Sequence, residues 1–292
     1  MRIRLLGVAI VTAVSSGCGL ALSPSTDSST VVVEAHPVPH PYAGPMSVQP
    51  DTSDNATVLE RSGAAGRALE CDYEPYDGGG GDYDSGLESV QDSPAKALEN
   101  FLEEELFLQL PKTGYQLERE DDGRALLSYD VGQRTKIAFI AADGIRDYED
   151  DEGWGIETWA ECDPAELPAP VTEALGIGVW QDRSGRRVPV AQIRSFQGPE
   201  HCSWQDVTFL ELGPEHHADE YVGHPTPDLA DWLKTTYTTN PPWPPGVTDT
   251  GFRQDGRELW LGPEHDAAYL VSRGDPTNVE RWPAAKQPIG CD

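Results

Sequence analysis

Residues 115–142, YQLEREDDGRALLSYDVGQRTKIAFIAA, decide the fold of the first half of the chain. They contain three β-rich runs, which cover residues 115–120, 124–131 and 136–142. The first two runs are separated by Asp122-Gly123, and the last two by Gly132-Gln133. An Asp-Gly pair between such runs is a strong signal for a two-residue β-hairpin. The stretch therefore predicts three consecutive antiparallel strands.

The sequence on either side extends this pattern to a complete unit. Residues 154–162 alternate along a fourth predicted strand, after an acidic loop at 147–152. Upstream, Ser93 is placed to cap a helix that begins with Pro94. Apolar residues then recur at helical spacing, namely Leu98, Phe101, Leu102 and Leu106. One helix followed by a four-stranded antiparallel meander predicts an α+β domain over residues 71–167.

Residues 168–292 predict a second domain that is mostly antiparallel β, with one short helix at 228–236. Its start is marked by Leu167-Pro168-Ala169-Pro170. One hairpin joins 177–181 to 187–196, and another joins 251–253 to 258–261. Further strands are predicted at 207–212, 267–272 and 279–282.

The first residues resemble an export signal. Arg2 and Arg4 precede an apolar run at 5–14 that is too short to span a bilayer. Ser15-Ser16-Gly17-Cys18 then resembles a bacterial lipobox, although Ser15 stands where an aliphatic residue is usual. We predict a signal peptide over 1–17 and lipidation of Cys18. The alternative is an ordinary secretory signal.

Five cysteines fit an exported protein. Lipidation of Cys18 leaves four, and an even number in an oxidising compartment indicates disulfides. Four cysteines allow three connectivities. Because two lie in each half, we expect Cys71–Cys162 and Cys202–Cys291. Each would close a loop of about ninety residues, worth on the order of 4 kcal/mol in the chain-entropy account.

Residues 18–70 are rich in Ser, Thr, Pro and Ala. The proline repeat at 36–41 excludes helix and favours extended chain. This composition predicts a disordered spacer that holds the folded domains away from the membrane.

The charge balance restricts the partners. With 21 basic and 50 acidic residues the net charge is −29. Such a chain repels phosphates, so we expect no nucleic-acid partner. It also repels anionic lipids, which makes a covalent lipid on Cys18 the expected link to the membrane.

The usual catalytic and cofactor signatures, such as the P-loop, GxSxG, HExxH and SxxK, are missing from the sequence. Gly-Pro-Glu-His, however, occurs three times, at 198–201, 213–216 and 262–265. Metal ligation is therefore an alternative, and its candidate ligands are His201, His216, His217 and His265. The competing interpretation is turn chemistry, because each Gly-Pro follows a strand-like run.

Two further alternatives remain open. The carboxylates of loop 147–152 could bind calcium, although their spacing differs from that of an EF-hand. Exposed rings of Trp154 or Trp243 could form a platform for a carbohydrate, which requires coplanar faces.

Several stretches resemble exported proteins of unknown function from high-GC Gram-positive bacteria. They are Gly114-Tyr115 with the strands that follow, 153–164 (GWGIETWAECDP), 198–210 (GPEHCSWQDVTFL), 259–262 and the terminal Gly290-Cys291. The resemblance covers most of residues 93–292. It implies an extracytoplasmic setting and paired cysteines, and it implies no activity.

Together these observations predict a lipoprotein on the outer face of the cytoplasmic membrane or in the cell envelope. We expect a non-enzymatic binding or interaction protein without a cofactor. The alternative is a metal-binding protein or metal-dependent enzyme that uses a divalent ion bound in the segment 201–265.

Overall fold

Three β-sheets with few helices make up the part of the chain that the computed structural model describes, residues 32–34, 41–80, 89–104, 109–214, 218–275 and 277–290. In chain order the strands are β1 Val32–Glu34, β2 Asp77–Gly80, β3 Thr113–Asp121, β4 Arg124–Val131, β5 Arg134–Arg146, β6 Glu152–Glu161, β7 Ile177–Val179, β8 Ile193–Gln197, β9 Thr208–Leu212, β10 Asp219–Gly223, β11 Thr238–Thr239, β12 Thr248–Gln254, β13 Arg257–Leu261, β14 Ala267–Ser272 and β15 Val279–Pro283. The α-helices are α1 Val58–Arg61, α2 Gly63–Ala68, α3 Pro94–Glu104 and α4 Ala169–Ala174, and 3₁₀-helices cover Pro164–Glu166, Glu200–Cys202 and Pro227–Trp232. Nearly all strand pairs are antiparallel, so the predicted α+β class is confirmed.

The first half contains the predicted meander. Strands β3 to β6 pair in sequence order, with β1 added beside β3 and β2 beside β6. Both short turns follow the predicted chemistry: Asp122 and Gly123 have φ of 49° and 69°, and Gly132 and Gln133 have φ of 61° and 68°. Two successive residues with positive φ match the right-handed twist of a hairpin.

Helix α3 covers one face of this sheet. Ser93 Oγ accepts a hydrogen bond from the Lys96 amide at 3.4 Å, as expected of the capping residue. Leu98 and Leu102 of the helix are buried, and Phe101 packs edge-on against Phe139 of β5. Leu106 lies outside the described residues.

The opposite face is covered by residues 41–70, where the predicted disordered spacer is wrong. Met46 and three alanines of α2 (Ala64, Ala65 and Ala68) are buried against Leu126, Ala138, Ile140 and Ala160 of the sheet. Strand β5 is apolar on both faces, so the sheet needs a second cover. Small alanine side chains let this short helix approach closely, and that packing was hidden by the polar composition. The capping box of Thr57 and Glu60 was the local signal for a helix here.

Two sheets form the second half, and they are joined at both edges. One has the order β10-β9-β8-β7, and the other β11-β15-β14-β13-β12. Gln181 and Arg253 each donate their amide to the other's carbonyl at 2.8 Å, which links the β7 edge to β12. Tyr221 bridges Ala284, which links β10 to β15. The eight strands β7–β10 and β12–β15 therefore close into a ring.

The sequence anticipated most of these strands but not all their details. In the predicted hairpin of 177–181 with 187–196, the second strand begins only at Ile193, and Gln181 and Arg187 form a single bridge. The predicted helix at 228–236 is a 3₁₀-helix, Pro227–Trp232. Strand β10 was not predicted, because its sequence DEYVG lacks a regular apolar alternation.

A disulfide and a buried ion pair fasten the two ends of the first half to each other. Cys71 and Cys162 are bonded, with 5.4 Å between their Cα atoms, as the sequence predicts. Beside them, Lys136 Nζ lies 2.5 Å from Glu166 Oε2, and both side chains are at most 4% exposed. Lys136 also donates to the Glu70 carbonyl, and Glu166 accepts the amides of Asp72 and Tyr73. Residues 70–73, where the chain enters the first half, are thus held against the turn at 163–166, where the chain leaves it.

The same turn contacts the ring. Asp163 accepts the backbone amides of Ala165, Val190 and Ala191 at 2.8, 3.0 and 3.4 Å. Burial raises the pKa of Asp163, and these three hydrogen bonds oppose that effect. Tyr73 Oη donates to the Arg187 carbonyl at 2.8 Å. Residues 71–73 and 163–166 therefore connect the predicted domains 71–167 and 168–292.

Replacing Lys136 with methionine should destabilise the protein strongly, because it leaves the Glu166 charge buried without its partner. We expect a loss of about 3–5 kcal/mol in the free energy of unfolding, measured by urea denaturation. Lys96→Met is the matched control, since Lys96 makes an exposed pair with Asp92 and should lose less than about 1 kcal/mol. Equal losses in the two variants would show that the buried pair does not stabilise the contact between residues 70–73 and the turn at 163–166.

Candidate binding site

The interior of the ring is apolar through most of its length. Alternate residues of each strand point inward, because successive side chains of a strand lie on opposite faces. The buried inner set comprises Trp180, Val188, Ile193, Leu210, Tyr221, Leu259, Leu261, Ala268, Leu270, Trp282 and Ala284. An eight-stranded ring is just wide enough to be filled by such side chains or to hold one small ligand.

At one end of the ring the inward-facing side chains become polar and leave a cavity of about 470 Å³, which we call the cup. The neutral polar residues that line the cup are Ser195, Gln197, Thr208 and Gln254. Its ionisable residues are His224, Asp255 and Arg257. Seven of the eight strands line the cup, and His224 follows the eighth, β10, directly. Such convergence of polar groups at the mouth of a small barrel is typical of a ligand site.

Gly178 of β7 makes room for one wall of the cup. A Cβ at this position would lie 2.1 Å from Ser195 Oγ and 2.6 Å from Gln254 Nε2. Without that atom, side chains from β8 and β12 meet across β7, and Ser195 Oγ donates to Gln254 Oε1 at 3.0 Å. The glycine is therefore required by a close approach and not by an unusual backbone angle.

Glu280 of β15 organises the opposite wall. Its Oε1 lies 3.0 Å from an Arg257 nitrogen, and its Oε2 accepts Trp282 Nε1 at 2.9 Å. His224 Nε2 lies 3.8 Å from the same Oε2. Burial, and to a smaller extent the Glu280 carboxylate, raise the pKa of Tyr237 beside it. With only 12% of its side chain exposed, Glu280 faces these groups more than solvent.

The two candidate metal ligands that the structure describes, His201 and His265, do not form one site. His201 follows β8 at the end of the ring that holds the cup. His265 follows β13 at the other end, where its Nδ1 lies 3.3 Å from Asp219 Oδ2 at the start of β10. The length of the strands separates the two imidazoles, so they cannot bind the same ion. His216 and His217 lie outside the described residues, and their metal role stays a prediction.

The Gly-Pro-Glu-His segments agree better with turn chemistry. The first continues into the 3₁₀-helix Glu200–Cys202, and the last is a turn in which His265 has a φ of 51°. Within the described ranges, the one group of three or more possible metal ligands within 4.8 Å of each other comprises Cys71, Cys162 and Glu166. Its two sulfur atoms are bonded to each other, so this group is a disulfide and not a metal site.

The calcium and carbohydrate alternatives find little support. In the acidic loop, Asp147 Oδ1 accepts the amides of Glu149 and Asp151 at 2.9 and 3.0 Å, which fixes the loop by itself. Trp243 is 46% exposed, but its ring crosses Trp260 at 77° and Tyr269 at 56°. These rings do not form a flat platform.

Two of the predicted cysteine roles can be placed in the structure. Besides the Cys71–Cys162 bond, Cys202 is also disulfide-bonded. Cys291 and Cys18 lie outside the described residues, so the Cys202–Cys291 pairing and the lipidation stay predictions.

No protein-family model, curated protein or solved structure matches this chain. Among the described residues, no helix has both the length and the apolar character needed to cross a membrane. The interpretation of the site therefore depends on its own geometry and chemistry.

The cup was not predicted from the sequence, because the candidate sites there were clusters of histidine or acidic residues. Its residues are spread from 176 to 282 and are mostly neutral. The signal that could have found them is the replacement of inward apolar residues by polar ones at the same end of successive strands. That signal becomes visible only when strand order is known.

Replacing Gly178 with alanine should push Ser195 and Gln254 apart and narrow the cup. We expect a loss of about 1–3 kcal/mol in the free energy of unfolding, as for an overpacked interior site. The matched control is Gly79→Ala in β2, where a Cβ would have no neighbour within 4 Å and the loss should be below about 1 kcal/mol. If the two variants are equally stable, the close contact over Gly178 does not exist.

Proposed function

We propose that this chain is an extracytoplasmic lipoprotein, anchored to the membrane through Cys18, which binds a small polar ligand in the cup. The observation that carries the proposal is the convergence of polar side chains from around a closed ring on one cavity of about 470 Å³. A cavity of this size suits a small molecule. It is too narrow for a folded partner.

The proposed location is supported by the cysteines. A disulfide that joins Cys71 to Cys162 fits an oxidising compartment outside the cytoplasm. The lipobox-like Ser-Ser-Gly-Cys at 15–18 supports an anchor, and the net charge of −29 favours a covalent one over electrostatic attachment.

Binding is favoured over catalysis by the chemistry of the cup. Four of its seven polar residues, Ser195, Gln197, Thr208 and Gln254, are hydroxyl or amide groups, which hydrogen-bond without transferring protons at neutral pH. Ser195 is bonded to Gln254 and not to a base. The sequence also lacks the usual catalytic signatures.

The anchor is tested by the intact mass of the full chain, taken from the membrane fraction of a bacterial host with and without reduction. We expect a polypeptide that begins at Cys18 and carries acyl groups, with four thiols that appear only after reduction. An unacylated mass, or thiols that react before reduction, would contradict the proposed anchor and the cysteine assignment.

Ligand binding is tested by thermal denaturation of the full chain against neutral sugars, amino acids and sugar acids at millimolar concentration. At least one of these probes should raise the Tm, because a ligand that binds only the folded state stabilises it. The rise should vanish in Thr208→Trp, whose ring fills the cup. It should persist in Thr238→Trp, a substitution on exposed β11 away from the cup.

A rise in Tm that survives in Thr208→Trp would place the binding elsewhere and contradict the proposal. So would the absence of any rise across the three classes of probe. Circular dichroism of both tryptophan variants shows whether each keeps its fold.

A further inference from the structure

Few charged groups line the cup, and one of them has a permanent positive charge. Arg257 is the one lysine or arginine that lines the cavity in the described part of the chain. Asp255 lies on the exposed turn between β12 and β13, at the rim. His224, also at the rim, faces Glu280. The permanent positive charge in the wall of the cup is therefore that of Arg257.

Glu280 holds Arg257 in place but uses only part of its guanidinium. One terminal nitrogen of Arg257 lies 3.0 Å from Glu280 Oε1, and no other side-chain partner of this guanidinium is found among the described residues. The arginine side chain is 37% exposed, whereas that of Glu280 is 12% exposed. The carboxylate is thus the more buried partner, and Arg257, which lines the cup, keeps guanidinium N–H groups that do not contact Glu280.

Glu280 is also engaged on its other side, because its Oε2 accepts the indole N–H of Trp282 at 2.9 Å. Trp282 in turn packs so closely on Gly223 that a Cβ there would lie 2.5 Å from the indole ring. The indole N–H of Trp282 thus binds one oxygen of Glu280, while the other oxygen contacts Arg257. Glu280 is therefore a positioning residue for Arg257.

We infer that the ligand of the cup is a small hydroxylated monocarboxylate, whose carboxylate binds Arg257 and whose hydroxyl groups contact the Ser195–Gln254 pair and Asp255. The inference rests on the proposed function and names the class of ligand for the same site. The planar arginine fork matches a carboxylate, and hydroxyl groups can both donate to Asp255 and exchange hydrogen bonds with Ser195 and Gln254.

The electrostatics limit the ligand to one negative charge. A single arginine, already shared with Glu280, can compensate one carboxylate. A phosphate dianion or a dicarboxylate would place further negative charge near Asp255, in a protein whose net charge is −29. Both classes are therefore disfavoured.

The inference is tested by calorimetric titration of the full chain with gluconate and with sorbitol, which differ in the carboxylate. We expect gluconate to bind at least about tenfold more tightly, because a bidentate hydrogen bond between arginine and a carboxylate is stronger than one between neutral groups. Arg257→Gln should remove that advantage, so that gluconate binds no more tightly than sorbitol. Arg257→Lys, which keeps the charge without the planar fork, should lose part of it.

Arg281→Gln is the matched control. Arg281 lies on the same strand as Glu280 but on the outer face, where it donates to the Thr236 carbonyl. This variant removes an equal charge and should bind gluconate like the unmodified protein. An equal loss in Arg257→Gln and Arg281→Gln would indicate a general charge effect and overturn the inference.

The inference also fails if gluconate and sorbitol bind equally, if inorganic phosphate binds more tightly than gluconate, or if gluconate does not bind. In each case the thermal-denaturation panel with Thr208→Trp decides independently whether the cup binds another class of ligand. The failure of this inference is thereby distinguished from the failure of the proposed function.

Discussion

Closure of the eight-stranded ring is the constraint on which the proposed site depends. Two single bridges, Gln181 with Arg253 and Tyr221 with Ala284, convert two open sheets into one closed wall. Closure pairs the sheet edges and turns alternate side chains of every strand toward a common axis. Apolar residues fill most of that interior, and the inward-facing polar residues at one end line the cup. Without closure, Ser195 and Arg257 would belong to separate surfaces.

The first half of the chain supports this ring through a small junction. The Cys71–Cys162 bond and the Lys136–Glu166 pair hold residues 70–73 against the turn at 163–166, and Asp163 of that turn accepts two amides of the segment that leads into β8. The disulfide reduces the conformational entropy of the unfolded chain. The ion pair is costly to break because the loss of one partner leaves the other charge buried and unpaired. The six-stranded sheet thus packs against the N-terminal segment, and the turn that follows it contacts the segment leading into the ring.

Local signals in the sequence predicted most of the strands and helix α3. They did not predict how segments far apart in the chain pack against each other. Asp122-Gly123 and Gly132-Gln133 determine the meander within a few residues, and Ser93 marks the start of α3. The packing of Ala64, Ala65 and Ala68 was missed because it depends on an apolar sheet face some sixty to ninety residues away in the chain. The cup was missed for the same reason, since no short segment contains more than two or three of its residues. The histidines were candidate metal ligands because Gly-Pro-Glu-His recurs in the sequence, yet His201 and His265 lie at opposite ends of the ring.

Hydrogen–deuterium exchange at the closing bridge is the most direct test of this account. The amides of Gln181 and Arg253 each donate a hydrogen bond to the other residue's carbonyl at 2.8 Å, and this pair joins the two sheets at the β7 edge. If the ring is closed, both amides should exchange as slowly as those inside the β8–β9 ladder. If they exchange as fast as the amides of the exposed turn at 183–185, the two sheets are separate at this edge. The cup would then not exist as a bounded cavity.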